Sequence, residues 1–279
     1  MRRERVSDDI YIFTSALYAQ VTASVILTPE GAIVIDTLPF PAESKQVANF
    51  VKRRSPQGAR FVINTHYHAD HVYGNYLFPE AHIIAHTEAK VAYERIEPRQ
   101  LKQAQEDNPA LEEVRLVSPS ILFDSQMGLS LGERQLHLLH LPGHSADGIG
   151  VYVDRDKILF SGDAVMPVPY FVQGDPHRLQ QTLQRIIALA PENIVQGHGE
   201  TLLRGEIEET LKRQIEYIDC AMQKAAEAYA AGDEMAALRA IEIEECGLSA
   251  IPIDGLVKQL HLANLIKLYN DAAQAEKSE

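Results

Sequence analysis

The chain has 279 residues, 46% of them hydrophobic, enough to bury a core in one large domain or two modest ones. Its 26 basic residues face 39 acidic ones, a net charge of −13, and the one basic cluster, Lys52-Arg53-Arg54, reads as a solvated helix end, which argues against a nucleic-acid partner. The charged start Met1-Arg2-Arg3-Glu4-Arg5-Val6 is not followed by an apolar run, and no apolar stretch approaches the roughly 20 residues that cross a bilayer, so no membrane partner is expected.

Strand-like patterns come first: Ile10-Tyr11-Ile12-Phe13-Thr14, the alternation Val21, Ala23, Val25, and the run Ala32-Ile33-Val34-Ile35 after the turn Pro29-Glu30-Gly31. Pro41 to Arg54 places Val47, Phe50 and Val51 on one helical face and leads into the strand Phe61-Val62-Ile63-Asn64. His82 to Ala85 is a further strand, and Thr87 to about Glu106 a polar helix kinked or ended at Pro98. Strands recur between Ile121 and Val153 and again at Lys157 to Phe160. A helix is expected to start at Asp175 as N-cap with Pro176 at its first position, before the strand Ile194-Val195.

After Gly205 the stripe Ile207, Leu211, Ile215, Ile218, Met222 marks a helix, broken at Gly232-Asp233 and followed by two more helical stretches. The expected division is a domain over residues 1–204 and a helical extension over 205–279, which could pack on the core, cover a site or pair in a homodimer. Cys220 and Cys246 lie in this extension with no CxxC spacing and no histidine partner nearby. They read as buried or idle thiols, which fits a reducing cytoplasm.

The chemistry is carried by histidines and aspartates just beyond strand ends: His66-Tyr67-His68-Ala69-Asp70-His71, then His144, Asp163 and His198. Imidazole nitrogen and carboxylate oxygen are ligands for zinc and similar divalent ions, and catalytic sites combine about three of them with an open position. His66, His68 and His144 complete one site; Asp70, His71 and His198 make a second; Asp163, with two oxygens, can bridge both ions. Each piece alone has a plain structural reading, such as a turn at Gly197-His198-Gly199 or an Asx-turn at Asp163. The combination is specific. The other histidines, His82, His86, His137, His177 and His261, read as structural or solvated, with His140 open because of its closeness to His144.

On these residues the chain resembles the metallo-β-lactamase-fold hydrolase superfamily. The signature HxHxDH stands at His66 to His71, followed by Leu141-Pro142-Gly143-His144, Phe160-Ser161-Gly162-Asp163 and Gly197-His198-Gly199, and the likeness covers about residues 10–204. It implies an α/β fold, a four-layer αββα sandwich with the C-terminal helical extension appended, and a binuclear centre, most readily zinc, with iron or manganese as alternatives. Asp36 matches an aspartate that hydrogen-bonds to the ligands from behind. Asp163, where some β-lactamases carry Cys or Ser, makes the ligand set glyoxalase II- and lactonase-like.

The implied activity is hydrolysis of a small-molecule carboxylic ester, thioester, lactone or lactam by a hydroxide between the ions, with Asp70 holding it, and with β-lactam turnover only as a weak side activity. The alternatives are a mononuclear iron persulfide dioxygenase and a phosphodiesterase. Lactonases of the superfamily place Tyr three residues after the bridging aspartate, where this chain has Met166. The apolar, proline-stiffened loop from Ala164 to Val172 either forms a substrate wall through Met166, Tyr170 and Phe171 or tucks into the core beneath the tail.

Overall fold

The structure is a computed structural model that describes residues 1–232 and 235–276. Two mixed sheets face each other. The first has seven strands in chain order: β1 (Arg2–Ser7), β2 (Ile10–Thr14), β3 (Thr22–Thr28), β4 (Gly31–Ile35), β5 (Ala59–Ile63), β6 (His82–His86) and β7 (Ile121–Phe123). It is antiparallel from β1 to β4 and parallel from β4 to β7. The second has six strands, β8 (Gln126–Leu131), β9 (Arg134–His140), β10 (Ile149–Val153), β11 (Ile158–Gly162), β12 (Asn193–Gln196) and β13 (Leu202–Leu203), with only β11 and β12 parallel.

The period of two along each strand builds the layers. In β4, Ile33 and Ile35 enter the core between the sheets, where they join Ile63, Ile84, Leu138, Val151 and Phe160. Ala32 and Val34 point the other way, onto α1 (Pro41–Arg54) through Val47, Phe50 and Val51. The second sheet turns Leu159 and Ile194 outward onto Leu179, Leu183 and Ile186 of α5 (Pro176–Leu189). Strands buried on both faces explain the apolar runs in the sequence, and the result is the expected αββα sandwich.

Local rules account for the helix ends. Asp175 caps α5 by accepting the Arg178 amide at 3.0 Å, with Pro176 in the first turn. The interruption expected at Pro98 is a full break: α3 (Ala89–Arg95) ends before it, and α4 (Glu97–Asp107) carries it in the first turn, where its missing amide hydrogen is no loss. β1 had no apolar signal because it is a charged edge strand with Arg2, Arg3 and Arg5 exposed.

In the extension one of the two helical stretches expected after the break is a long helix and the other resolves into short turns. α6 (Ile207–Ala230) and α7 (Val257–Glu276) are long, but the chain between them contains short 3-10 turns, at Ile243–Cys246 and Ile253–Gly255 among others. The break expected at Gly232-Asp233 has Gly232 in left-handed backbone, while Asp233 lies outside the described residues. The α6 stripe is spent internally. Leu211 and Ile218 are fully buried in one cluster with α5 residues and with Val257 and Leu265 of α7. Cys220 and Cys246 are not idle thiols; they form a disulfide that ties α6 to the turn at Ile243–Cys246. Two cysteines 26 residues apart showed no spacing signal, since only the fold of the extension brings their Cα atoms to 5.4 Å. The expectation of a reducing compartment loses the support it took from them. Among the described residues no helix is long and apolar enough to cross a membrane.

Candidate metal centre

The parallel pairs β4-β5 and β11-β12 end on the same side of the sandwich, and their following loops carry the histidines and aspartates. Backbone bonds stitch these loops across the two sheets: Ile149 donates to Thr65 O at 2.8 Å, and Thr22 donates to Gly197 O at 2.8 Å. His66 and His68 follow β5, while Asp70 and His71 sit on the one-turn helix α2 (Ala69–Val72) rather than directly at a strand end. Gly197 is required by space, because a Cβ there would lie 1.9 Å from Asp163 Oδ1.

Two ligand nests result. In the first, His66 Nε2 and His144 Nε2 each lie 3.0 Å from His68 Nδ1, and Asp163 Oδ2 is 3.7 Å from His66 and 3.3 Å from His144. In the second, His198 Nε2 is 3.2 Å from Asp70 Oδ2, and His71 Nε2 is 3.7 Å from it. Asp163 reaches this nest too, with Oδ1 3.3 Å from His71 and Oδ2 3.5 Å from His198. Tetrahedral zinc with bonds of about 2.0–2.1 Å spaces its ligand atoms by about 3.3 Å, so both nests have cation dimensions.

The outer nitrogen of every histidine has a partner, which defines the tautomer and turns the other nitrogen inward. His144 Nδ1 donates to Tyr170 O at 2.7 Å, His198 Nδ1 to Ala19 O at 2.9 Å and His68 Nε2 to Gln173 Oε1 at 2.7 Å. His71 Nδ1 donates to Asp36 Oδ2 at 2.9 Å. His66 Nδ1 donates to Thr65 Oγ1 at 3.1 Å, and that hydroxyl donates to Asp36 Oδ2 at 2.7 Å. In the neutral form of these tautomers, all five rings turn a lone pair toward the nests. His71 Nε2 and Asp163 Oδ1 are buried with no hydrogen-bond partner, a costly arrangement unless a cation completes it. The donor set fits divalent metal.

Electrostatics separate the nests. Burial, with His71 and His68 adding to it, holds the His66 imidazole neutral well below its ordinary range; burial and His144 push His68 down to about 4; burial lowers His144 as well. In the second nest burial opposes charging, but Asp163 and Asp70 outweigh it, so His71 is raised and His198 is pushed up to about 10. Burial likewise opposes the ionised form of Asp70, yet His71 and His198 bring it down to about 2.

Beside the nests lies a cavity of about 280 Å³. His68, Asp70, His144, Asp163 and His198 face it, as do Met166 and Tyr170 from the loop after Asp163. Phe171 does not: it is fully buried in the core with Val168 and α6 residues, so the loop divides between the two arrangements open in the sequence. Tyr18, Gln100 and Gln173 also line the cavity, and the extension covers one side through Ile253, Leu256 and Leu260. None of these carried a sequence signal, because each reaches the cavity from a loop or helix remote in the chain. The remaining histidines stay outside the nests: His86 stacks on His140 with ring centres 3.8 Å apart, His137 pairs with Asp154, and His261 bonds to Tyr217.

An αββα sandwich bearing two histidine–aspartate nests at one end of its sheets is the architecture of a metallo-β-lactamase-like protein. The sequence profile of the Metallo-beta-lactamase superfamily matches residues 18–198, and the chain belongs to that family. Among curated proteins it is similar to the acyl-coenzyme A thioesterase MBLAC2 of Homo sapiens, 34% identical over 98 residues, which are 32% of this chain and 34% of that protein. The chain aligns with half or less of the length of the curated relatives it matches. A metallo-β-lactamase from Pontibacter korlensis superposes with a TM-score of 0.61 at 20% identity, over 76% of this chain and 97% of that one. The sec-alkylsulfatase Pisa1 from Pseudomonas sp. superposes with a TM-score of 0.70 at 15% identity, over 96% of this chain and 50% of that one.

Proposed function

We propose that the chain is a binuclear metal-dependent hydrolase of a carboxylic ester or thioester, with lactones and lactams as related substrates. The observation that carries this is Asp163, whose two carboxylate oxygens lie between complete nests of inward-facing nitrogens. Similarity to a thioesterase supports the acyl class. His66, His68, His144 and Asp163 would hold one ion; Asp70, His71, His198 and Asp163 the other. When bound, such ions supply electrophilic polarisation and lower the pKa of water at neutral pH.

The protein's own groups complete the chemistry. Asp70, ionised and facing the cavity, is placed to orient the attacking water by accepting its hydrogen bond. Tyr18 lines the same cavity, where its hydroxyl can donate to the oxygen on which charge develops. The extension walls one side of the cavity through Ile253, Leu256 and Leu260.

The test is metal analysis of the purified chain joined to assays on esters, thioesters, lactones, β-lactams and phosphodiesters. Two zinc ions with acyl hydrolysis, lost at least a hundredfold in Asp70→Asn and His144→Ala with unchanged circular dichroism, is the expected result. One iron with oxygen uptake on persulfides, or turnover confined to phosphodiesters, would replace this reading with one of the two alternatives.

A further inference from the structure

The ligand nests account for only part of the cavity lining. Another part is contributed by the extension, through Ile253, Leu256 and Leu260, with Met166 beside them. Leu256 and Leu260 are one helical turn apart, the Leu260 amide donating to Leu256 O at 3.2 Å, so both project to one side. Ile253 reaches the cavity through an unfavourable backbone: φ is +46° there and +57° at Asp254. A β-branched residue in that region is an outlier that persists only where surrounding packing over-determines it, and such outliers cluster at binding sites. Two exposed apolar residues neighbour cavity-lining ones in the chain: Ile251, 84% exposed and two residues before Ile253, and Leu17, 57% exposed and next to Tyr18.

Charge narrows the occupant. Among the described residues no lysine or arginine lines the cavity, and its acidic groups belong to the nests. A phosphate or carboxylate on the non-reacting part of a substrate would meet no cation there. A volume of about 280 Å³ lies at the small end of the range for ligand sites, which sets a limit on chain length.

We propose that Ile253, Leu256 and Leu260 seat a linear, uncharged acyl chain and set its length preference, an assignment that rests on the acyl-hydrolase reading above. Each methylene taken from water onto this wall strengthens binding about fourfold until the cavity is full.

The test uses the full chain loaded with Zn²⁺ and two independent readouts. Calorimetric binding of acetate, butyrate, hexanoate and octanoate requires no turnover; kcat/KM is measured on p-nitrophenyl esters of the same acids. Octanoate is expected to bind at least fiftyfold tighter than acetate, and the kcat/KM series to rise in parallel. Leu256→Asp with Leu260→Asp should reduce the octanoate-to-acetate ratio at least tenfold, whereas Leu203→Ala, at an exposed site outside the cavity, leaves it unchanged. Should the double aspartate variant fail to fold, Leu256→Ala with Leu260→Ala is read instead, with a smaller loss of the same ratio. A flat length series in the parent chain, or an unchanged ratio in a folded double variant, overturns the proposal. Length-dependent binding with no ester or thioester turnover would sustain the wall and reject the hydrolase reading alone.

Discussion

Thr65 Oγ1 donates to Asp36 Oδ2 at 2.7 Å and accepts from His66 Nδ1 at 3.1 Å, so one buried carboxylate stands behind both nests. Its other link is direct, from His71 Nδ1 at 2.9 Å. Asp36 also accepts the Thr65 amide at 2.8 Å, which anchors the loop after β5 before the first histidine is reached. Partners of this kind orient a ligand ring and raise its basicity. Asp36→Asn is expected to weaken binding of both ions by about tenfold to a hundredfold. Thr65→Val should act mainly on the nest containing His66. Titration against a chromophoric chelator resolves the two steps, and equal losses at both in Thr65→Val would contradict the relay.

Gln173 performs a similar task from an exposed loop. Its Oε1 accepts from His68 Nε2 and from Tyr67 Oη, each at 2.7 Å, and it lines the cavity as well. Gln173→Leu removes the acceptor that holds the His68 tautomer, so metal affinity should fall about tenfold or more, while Gln173→Glu keeps an acceptor and retains it. Chelator competition checks both. An unaltered affinity in Gln173→Leu would assign this residue to substrate contact alone.

Glu97, at the start of α4, is fully buried, and neither carboxylate oxygen has a partner. Burial, with Asp70 and Asp147 nearby, pushes its pKa from 4.5 up to about 8. An acid raised on folding binds more protons in the native state, so its contribution to stability is full below about pH 4.5 and is lost as pH rises towards 8. Glu97→Gln keeps the shape without the charge. It should exceed the parent by on the order of 4 kcal/mol at pH 8 and by less than about 1 kcal/mol at pH 5, as read from denaturant unfolding at the two pH values.

The disulfide Cys220–Cys246 closes a loop of 26 residues, just ahead of the turn that delivers Ile253 to the cavity. Loop-closure entropy assigns such a link about 3 kcal/mol. Cys220→Ser with Cys246→Ser should lower the thermal midpoint in non-reducing buffer, and the parent in dithiothreitol should match it. If unfolding is insensitive to reductant, the link contributes no net stability.

Legibility in the sequence followed the range of the physics involved. The strands, α1 and α5 were readable because alternation, a proline in the first turn and the Asp175 cap act over a few residues. Pro98 marked the break between α3 and α4, because a proline that removes an amide hydrogen is tolerated in a helix's first turn and not in its interior. β1 escaped because a charged edge strand needs no apolar pattern. Phe171 shows the limit for substrate contacts, since an apolar loop residue reads the same whether it faces a cavity or the core.

What the sequence determined by itself was the set of metal-binding candidates and the superfamily, because residue type and spacing beyond strand ends carry the donor chemistry directly. The tertiary structure alone decided how those donors meet. The 3.0 Å approach of His144 to His68, the supporting acceptors Gln173, Tyr170 and Ala19, the pairing of Cys220 with Cys246, and the cover of Ile253, Leu256 and Leu260 all join segments distant in the chain. Such contacts depend on where two sheets and an appended helical layer bring loops together, and that is a property of packing rather than of any local pattern.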